Sequence, residues 1–249
     1  MKNFLAIFNW KMNPSSLKEA LFIASQNDIK TKNVEVVVCP PFIFLSDIKK
    51  SIQNIKVGAQ NCFFENQGSF TGETSPLMLK NLKIEYVILG HCERRLYFGE
   101  TDEIISKKIK AVEVNGIYPI LCVGENQKEK EKNLTFKVLK KQLQPILKIQ
   151  RKPIIVAYEP VWAVGGNKPE EPSEIKKIKN FIYDFTERYG KIKNKDIKIL
   201  YGGTVNDKNI KTIMEKGNVD GVLVGRASLY PKQSLKIIKI LEKINADPR

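Results

Sequence analysis

The chain has 249 residues, with 42 lysines and arginines against 27 aspartates and glutamates, one histidine, four cysteines and a 42% hydrophobic fraction. That length and apolar content can bury a large core without disulfides, which excludes a disordered or fibrous protein, and a single histidine excludes metal centres built from several imidazoles. The formal charge of +15 suggests a polyanionic partner, yet only six of the basic residues are arginine, the side chain whose bidentate fork nucleic-acid recognition favours. A solvated lysine-rich surface accounts for the charge without nucleic acid or a membrane.

The opening, MKNFLAIFNWKMN, starts with a charge, but Asn9 and Lys11 interrupt its apolar run after about five residues, too few for the core of a secretion signal. No segment approaches the ~18 uninterrupted apolar residues that a membrane helix needs. Cys39, Cys62, Cys92 and Cys122 stand singly, with no Cys-x-x-Cys pair. Such usage predicts reduced thiols in a cytoplasmic protein, neither a disulfide framework nor a zinc site.

Short apolar, β-branched runs recur along the chain: FLAIF (4–8), VEVVVC (34–39), KVGA (56–59), YVIL (86–89), YPILCV (118–123), PIIVAY (153–158), KIL (198–200) and GVLV (221–224). They are continuous rather than alternating, which predicts strands buried on both faces. Helical periodicity fills the gaps. Leu17, Leu21 and Ala24 share one face, as do Ile104, Ile105, Ile109 and Val112, then Leu134, Val138, Leu139 and Leu143, and finally Ile175, Ile178, Ile182 and Phe185. The stretch 124–152 is long and very charged, and its KEKEK run is expected to belong to a solvated helix.

Eight strands alternating with helices require parallel pairing and right-handed crossovers, leaving an open doubly wound sheet or a closed (β/α)8 barrel among α/β folds. Eight repeats in a chain of this length match the barrel. No linker or low-complexity tract divides the chain, so residues 1–249 are expected to form a single barrel domain.

Catalytic groups of such barrels project from the carboxyl ends of the strands. The first strand ends Asn9-Trp10-Lys11, an amide and an ammonium suited to holding an anionic oxygen, although a rim lysine can also simply snorkel. The fourth ends Gly90-His91-Cys92-Glu93, placing the only histidine where a following helix could supply amide donors that keep the ring neutral. Glu93 is either part of that site or a first-turn acid complementing a helix dipole. Glu100-Thr101-Asp102 then leads into the next helix.

The sixth strand ends Tyr158-Glu159-Pro160-Val161-Trp162, a carboxylate beside apolar neighbours that would desolvate it and make it more basic, as a proton-abstracting group should be. The following loop ends in Gly165-Gly166 and could close over a small ligand. The alternative is an ordinary loop whose glutamate meets a lysine. The seventh and eighth strands supply YGGTV (201–205) and VGRAS (224–228), where glycines let backbone N–H groups approach an anion. Neither a triphosphate-binding loop nor a dinucleotide fingerprint occurs.

Together, NWKMN, GAQN, FTGE, GHCERR, YEPVWAVGG, YGGTV and GVLVGRASL resemble the triosephosphate isomerase family over essentially the whole chain, in the family's order and spacing. Another phosphate-handling βα barrel would not be expected to carry NWKMN, GHCERR and YEPVWA together. The resemblance implies conversion of dihydroxyacetone phosphate to D-glyceraldehyde 3-phosphate and back through an enediolate, with no metal or cofactor. It assigns Glu159 as base, His91 as electrophile and Lys11 as the cation that stabilises developing charge, with Asn9 as a donor beside it. Gly165, Thr204, Gly225 and Arg226 correspond to positions whose backbone amides bind the phosphate. Residues 161–168 correspond to a lid, Glu125 and Tyr201 to groups that hold it, and the loop around Phe70-Thr71-Gly72 to one that enters a neighbouring subunit in a homodimer.

The chain also departs from the family's pattern. Cys92 stands where serine is usual, Thr204 replaces serine, and the lid ends Gly165-Gly166-Asn167-Lys168 before Pro169 rather than Gly-Thr-Gly-Lys. Arg226 replaces a glycine, keeping a backbone N–H while adding a side chain that must point away or contribute charge.

Overall fold

The computed structural model describes residues 3–149, 153–166, 168–190 and 196–246. Eight strands, β1 (Phe4–Asn9), β2 (Val34–Cys39), β3 (Lys56–Ala59), β4 (Tyr86–Leu89), β5 (Tyr118–Val123), β6 (Ile154–Tyr158), β7 (Ile197–Tyr201) and β8 (Gly221–Val224), pair in parallel in chain order. β8 pairs back onto β1, with Leu5 opposite Gly221 and Phe8 opposite Val224, and closes the barrel. All eight coincide with the apolar runs of the sequence to within a residue at either end, so the (β/α)8 expectation holds.

The closed sheet has two apolar faces, and side-chain alternation along each strand decides which residue serves which. Leu5 and Ile7 join Ile120, Cys122, Ala157 and Leu223 in the cluster inside the barrel. The alternate residues of the same strands, Ala6, Phe8, Leu121, Val123 and Val156, belong instead to the larger cluster beneath the helices. Extending the inner rows by two residues carries Asn9, Glu159, Gly202 and Gly225 to the carboxyl-terminal mouth. Strand periodicity alone therefore aims an amide and a carboxylate into the mouth and leaves two glycine gaps beside them.

Ten helices complete the described chain: α1 (Leu17–Asn27), α2 (Leu45–Ser51), α3 (Pro76–Asn81), α4 (Cys92–Phe98), α5 (Asp102–Val114), α6 (Gln127–Glu131), α7 (Thr135–Ile149), α8 (Pro172–Tyr189), α9 (Ile210–Gly217) and α10 (Pro231–Ala246). Ile105, Ile109 and Val112 of α5, Leu139 and Leu143 of α7, and Ile175, Ile178, Ile182 and Phe185 of α8 are buried as their spacing predicts. In α1 the buried row is Ala20, Ile23, Ala24 and Asn27, while Leu17 is exposed. The i, i+3, i+4, i+7 row with two alanines is the one that faces the barrel, and Leu17 lies at the solvated first turn.

The KEKEK run falls on α6, a five-residue helix without buried residues whose start is closed by a reciprocal capping box between Asn126 and Glu129. Among the described residues, no helix is long and apolar enough to cross a membrane.

Candidate active site

Asn9, Lys11, His91, Glu93, Glu159, Gly165, Thr204, Gly225 and Arg226 all line one cavity of about 560 Å³ at the mouth of the barrel. Every residue singled out at a strand end for catalysis or phosphate binding is thus brought together. Glu100 and Asp102 are not: Glu100 is buried against Lys108 and Arg94, and Asp102 pairs with Arg95 at 2.6 Å.

His91 owes its orientation to the end of β4. Gly90 adopts φ +71°, and the chain then enters α4 with His91 as its N-cap, whose ring Nδ1 accepts the Glu93 backbone N–H at 3.2 Å. A neutral imidazole that accepts at Nδ1 carries its proton on Nε2. Nε2 lies 3.2 Å from Glu159 Oε1. The donor edge of the only histidine therefore faces the carboxylate.

Glu159 is 2% exposed. Its second oxygen, Oε2, accepts the Cys92 backbone N–H at 3.2 Å. Gly202 gives the side chain its room, since a Cβ there would stand 2.7 Å from Glu159 Cγ. Glu159 is buried as anticipated, and the Trp162 indole donates to Glu125 at 3.2 Å.

Lys11 follows β1 in a left-handed conformation, φ +55°, which is unfavourable for a side chain with a Cβ. Two contacts hold it there: its N–H donates to Asn9 Oδ1 at 3.0 Å, and its carbonyl accepts from Gln60 Nε2 at 2.7 Å. The ammonium forms an ion pair with Glu93. Glu93 thus belongs to the site, its backbone orienting His91 and its carboxylate orienting Lys11.

The loop after β6 departs through Pro160 and a 3-10 turn, Val161–Ala163. Its leading end is tied to Glu125, whose backbone carbonyl accepts the Val161 N–H at 2.9 Å. The Glu125 carboxylate accepts from Tyr158 OH at 3.1 Å and from Trp162, and burial raises its carboxyl above the ordinary range. The trailing end is tied through Glu170, which donates its N–H to Tyr201 Oη at 2.7 Å and pairs its carboxylate with Lys130. Thr204 Oγ1 lies 2.6 Å from the Ala163 carbonyl and 3.0 Å from that of Gly166, so its hydroxyl bridges that loop to the end of β7. Asn167 lies outside the described residues.

His91, Cys92 and Glu159 also bring three potential metal ligands within 4.8 Å of one another. Their existing bonds do not suit a metal: Nδ1 is occupied by the Glu93 N–H, and burial, with Glu159 adding to it, pushes the Cys92 thiol well up. A protonated thiol is a poor ligand. Burial likewise raises Cys39 and Cys122, and Cys62 to about 12, so all four cysteines are free, buried thiols.

Three contributors are not singled out by the sequence: Gln60, Glu170, and Gly202 as the space for Glu159. The motif YGGTV by itself points to anion approach alone. Only the demand of a neighbouring side chain, which a linear motif does not display, identifies the other use.

A family model for triosephosphate isomerase matches residues 4–241. A triosephosphate isomerase of Endomicrobium trichonymphae is 41% identical over 247 residues, covering 96% of this chain and 99% of that protein. Those of Alkaliphilus oremlandii and Carboxydothermus hydrogenoformans are 43% and 42% identical over 239 and 240 residues, covering 92% and 93% of this chain and 96% of each relative.

Proposed function

We propose, from the premise that the chain belongs to the triosephosphate isomerase family and interconverts dihydroxyacetone phosphate and D-glyceraldehyde 3-phosphate, that Glu159 moves the proton while His91 polarises the carbonyl. The observation that carries these roles is the 3.2 Å approach of His91 Nε2 to the Glu159 carboxylate, with the other ring nitrogen held by the Glu93 amide. Glu159 takes a proton from the carbon bearing the hydroxyl, and the electron pair shifts to the carbonyl oxygen. Nε2–H donates to that oxygen, giving the enediolate. Return of the proton to the neighbouring carbon, with proton transfer between the two oxygens, completes the isomerisation.

Lys11 and Asn9 face the negative charge that develops on the oxygens, where preorganised donors are worth most. Gly165, Thr204, Gly225 and Arg226 present their backbone N–H groups to the phosphate, with Gly225 lacking a Cβ that would stand 3.5 Å from Lys11 Cε. The lid over residues 161–168 excludes water and limits loss of phosphate from the enediolate. The reaction moves only protons and calls on no cofactor.

The active form is a homodimer of chains whose residues 1–249 make one barrel domain, acting in the cytoplasm. Exposed Phe70, packed on Phe63 at 4.5 Å between ring centroids, presents an apolar loop beside Thr71 for the neighbouring subunit. Four unpaired cysteines suit a reducing compartment.

A coupled assay in both directions, run on fractions of known molecular mass, tests the reading. Activity is expected in the dimer, inhibition is expected from a phosphorylated enediolate mimic, and Glu159→Gln should lower kcat at least ~100-fold. A folded dimer without activity, or full activity in Glu159→Gln, removes the assignment; a fully active monomer removes the dimer.

A further inference from the structure

The phosphate end of the cavity carries a charge that proton transfer does not use. Two cations line the cavity, Lys11 and Arg226, and two acids, Glu93 and Glu159. Both acids contact His91, and Lys11 is paired with Glu93. Arg226 is exposed and forms no ion pair or side-chain hydrogen bond among the described residues, unlike Arg94 and Arg95, which are held by Glu100 and Asp102.

Its position has a direction. Gly225 stands against Lys11 Cε on the inner side, and the chain then turns into the 3-10 helix Arg226–Leu229. Arg226 is exposed where that turn begins, and Asn206, Tyr230 and Gln233 continue the cavity wall beside it without an acid. A planar guanidinium binds a phosphoryl group through two parallel N–H···O bonds.

We propose that Arg226 forms a second anion subsite, selecting ligands whose phosphate carries a further phosphoryl group, that is, diphosphates. This rests on the reading of Gly165, Thr204 and Gly225 as the phosphate site. The inner phosphoryl group occupies that site and the outer one meets Arg226, so a diphosphate competes with the triose phosphate.

Inorganic pyrophosphate and orthophosphate are the probes, compared by inhibition of isomerisation and by titration calorimetry at physiological salt. Pyrophosphate is expected to bind competitively and on the order of ten-fold tighter than orthophosphate, the size of a charge-assisted contact. Arg226→Gln should bring the two within ~3-fold, Arg226→Lys should lie between, and Lys232→Gln, which removes a nearby exposed charge, should keep the wild-type ratio. An equal ratio in wild type and Arg226→Gln, or pyrophosphate that binds without competing, overturns the subsite. If orthophosphate also fails to compete in an active enzyme, the error lies in the phosphate-site reading itself.

Discussion

The two halves of the barrel mouth are built from different materials. Around Glu159 the working groups are side chains, each fixed by a backbone donor: the Glu93 N–H on His91, the Cys92 N–H on Glu159 and the Lys11 N–H on Asn9. Around Thr204 and Gly225 the proposed phosphate-binding groups are loop amides, beside a hydroxyl and an exposed guanidinium. Proton transfer demands placement to a fraction of an ångström, which strand ends and a helix cap supply. Holding a phosphate demands charge and donors but tolerates variation in the loop that brings them. The departures at Thr204, Gly166 and Arg226 fall in the second half, while among the described residues of the first the departure is Cys92.

The sharpest way to break that contrast is Gly202→Ala. The added methyl would lie 2.7 Å from Glu159 Cγ and 3.4 Å from Oε1, so the carboxylate must move. Gly202 does not use a left-handed backbone, which leaves the base as the main casualty. We expect kcat to fall about 100-fold, the cost of a displacement near 1 Å, with KM changed less than ~3-fold because ground-state binding is untouched. Steady-state kinetics checks this, and a loss confined to KM would place the crowding in the phosphate half.

Thr204→Val probes the other half and should show the opposite split. It keeps the side chain's shape and removes the hydroxyl that reaches the Ala163 and Gly166 carbonyls. Loss of about 1 kcal/mol of hydrogen bonding predicts KM raised ~5-fold and kcat within ~3-fold. A less securely held lid should also release more inorganic phosphate per turnover, measurable by a phosphate assay. If kcat collapses while KM stays, the two halves do not divide catalysis from binding.

Much of this arrangement is legible in the sequence because it follows from strand periodicity. Runs such as FLAIF and PIIVAY place Asn9 and Glu159 two residues beyond inner-facing positions, and alternation does the rest. What is not legible depends on contacts between distant segments. Nothing in YEPVWA indicates that Trp162 donates to Glu125, since the partner lies on the preceding βα unit. Nor does NWKMN reveal that Gln60 props Lys11 in a left-handed conformation. The face read for α1 holds at Ala24 and at Leu21, which packs partly buried on the core, but it misses Ala20, a weak hydrophobic signal, and includes Leu17, which is exposed.

The smallest effect expected is in the hinge that joins the halves. Burial raises the Glu125 carboxyl above its ordinary 4.5, although Tyr158 and Trp162 both donate to it. The folded chain then holds that proton more tightly than the unfolded chain, so the contribution to stability is full below the ordinary value and is lost as pH rises through the raised one. Glu125→Gln keeps an oxygen acceptor for both donors and never acquires the buried charge. Its Tm relative to wild type should therefore climb between about pH 4 and pH 7, by no more than about 4 °C. Wild-type hinge contacts should persist, leaving kcat within ~3-fold. A Tm difference that stays flat with pH, or falls, would mean that the carboxylate's partners outweigh its burial.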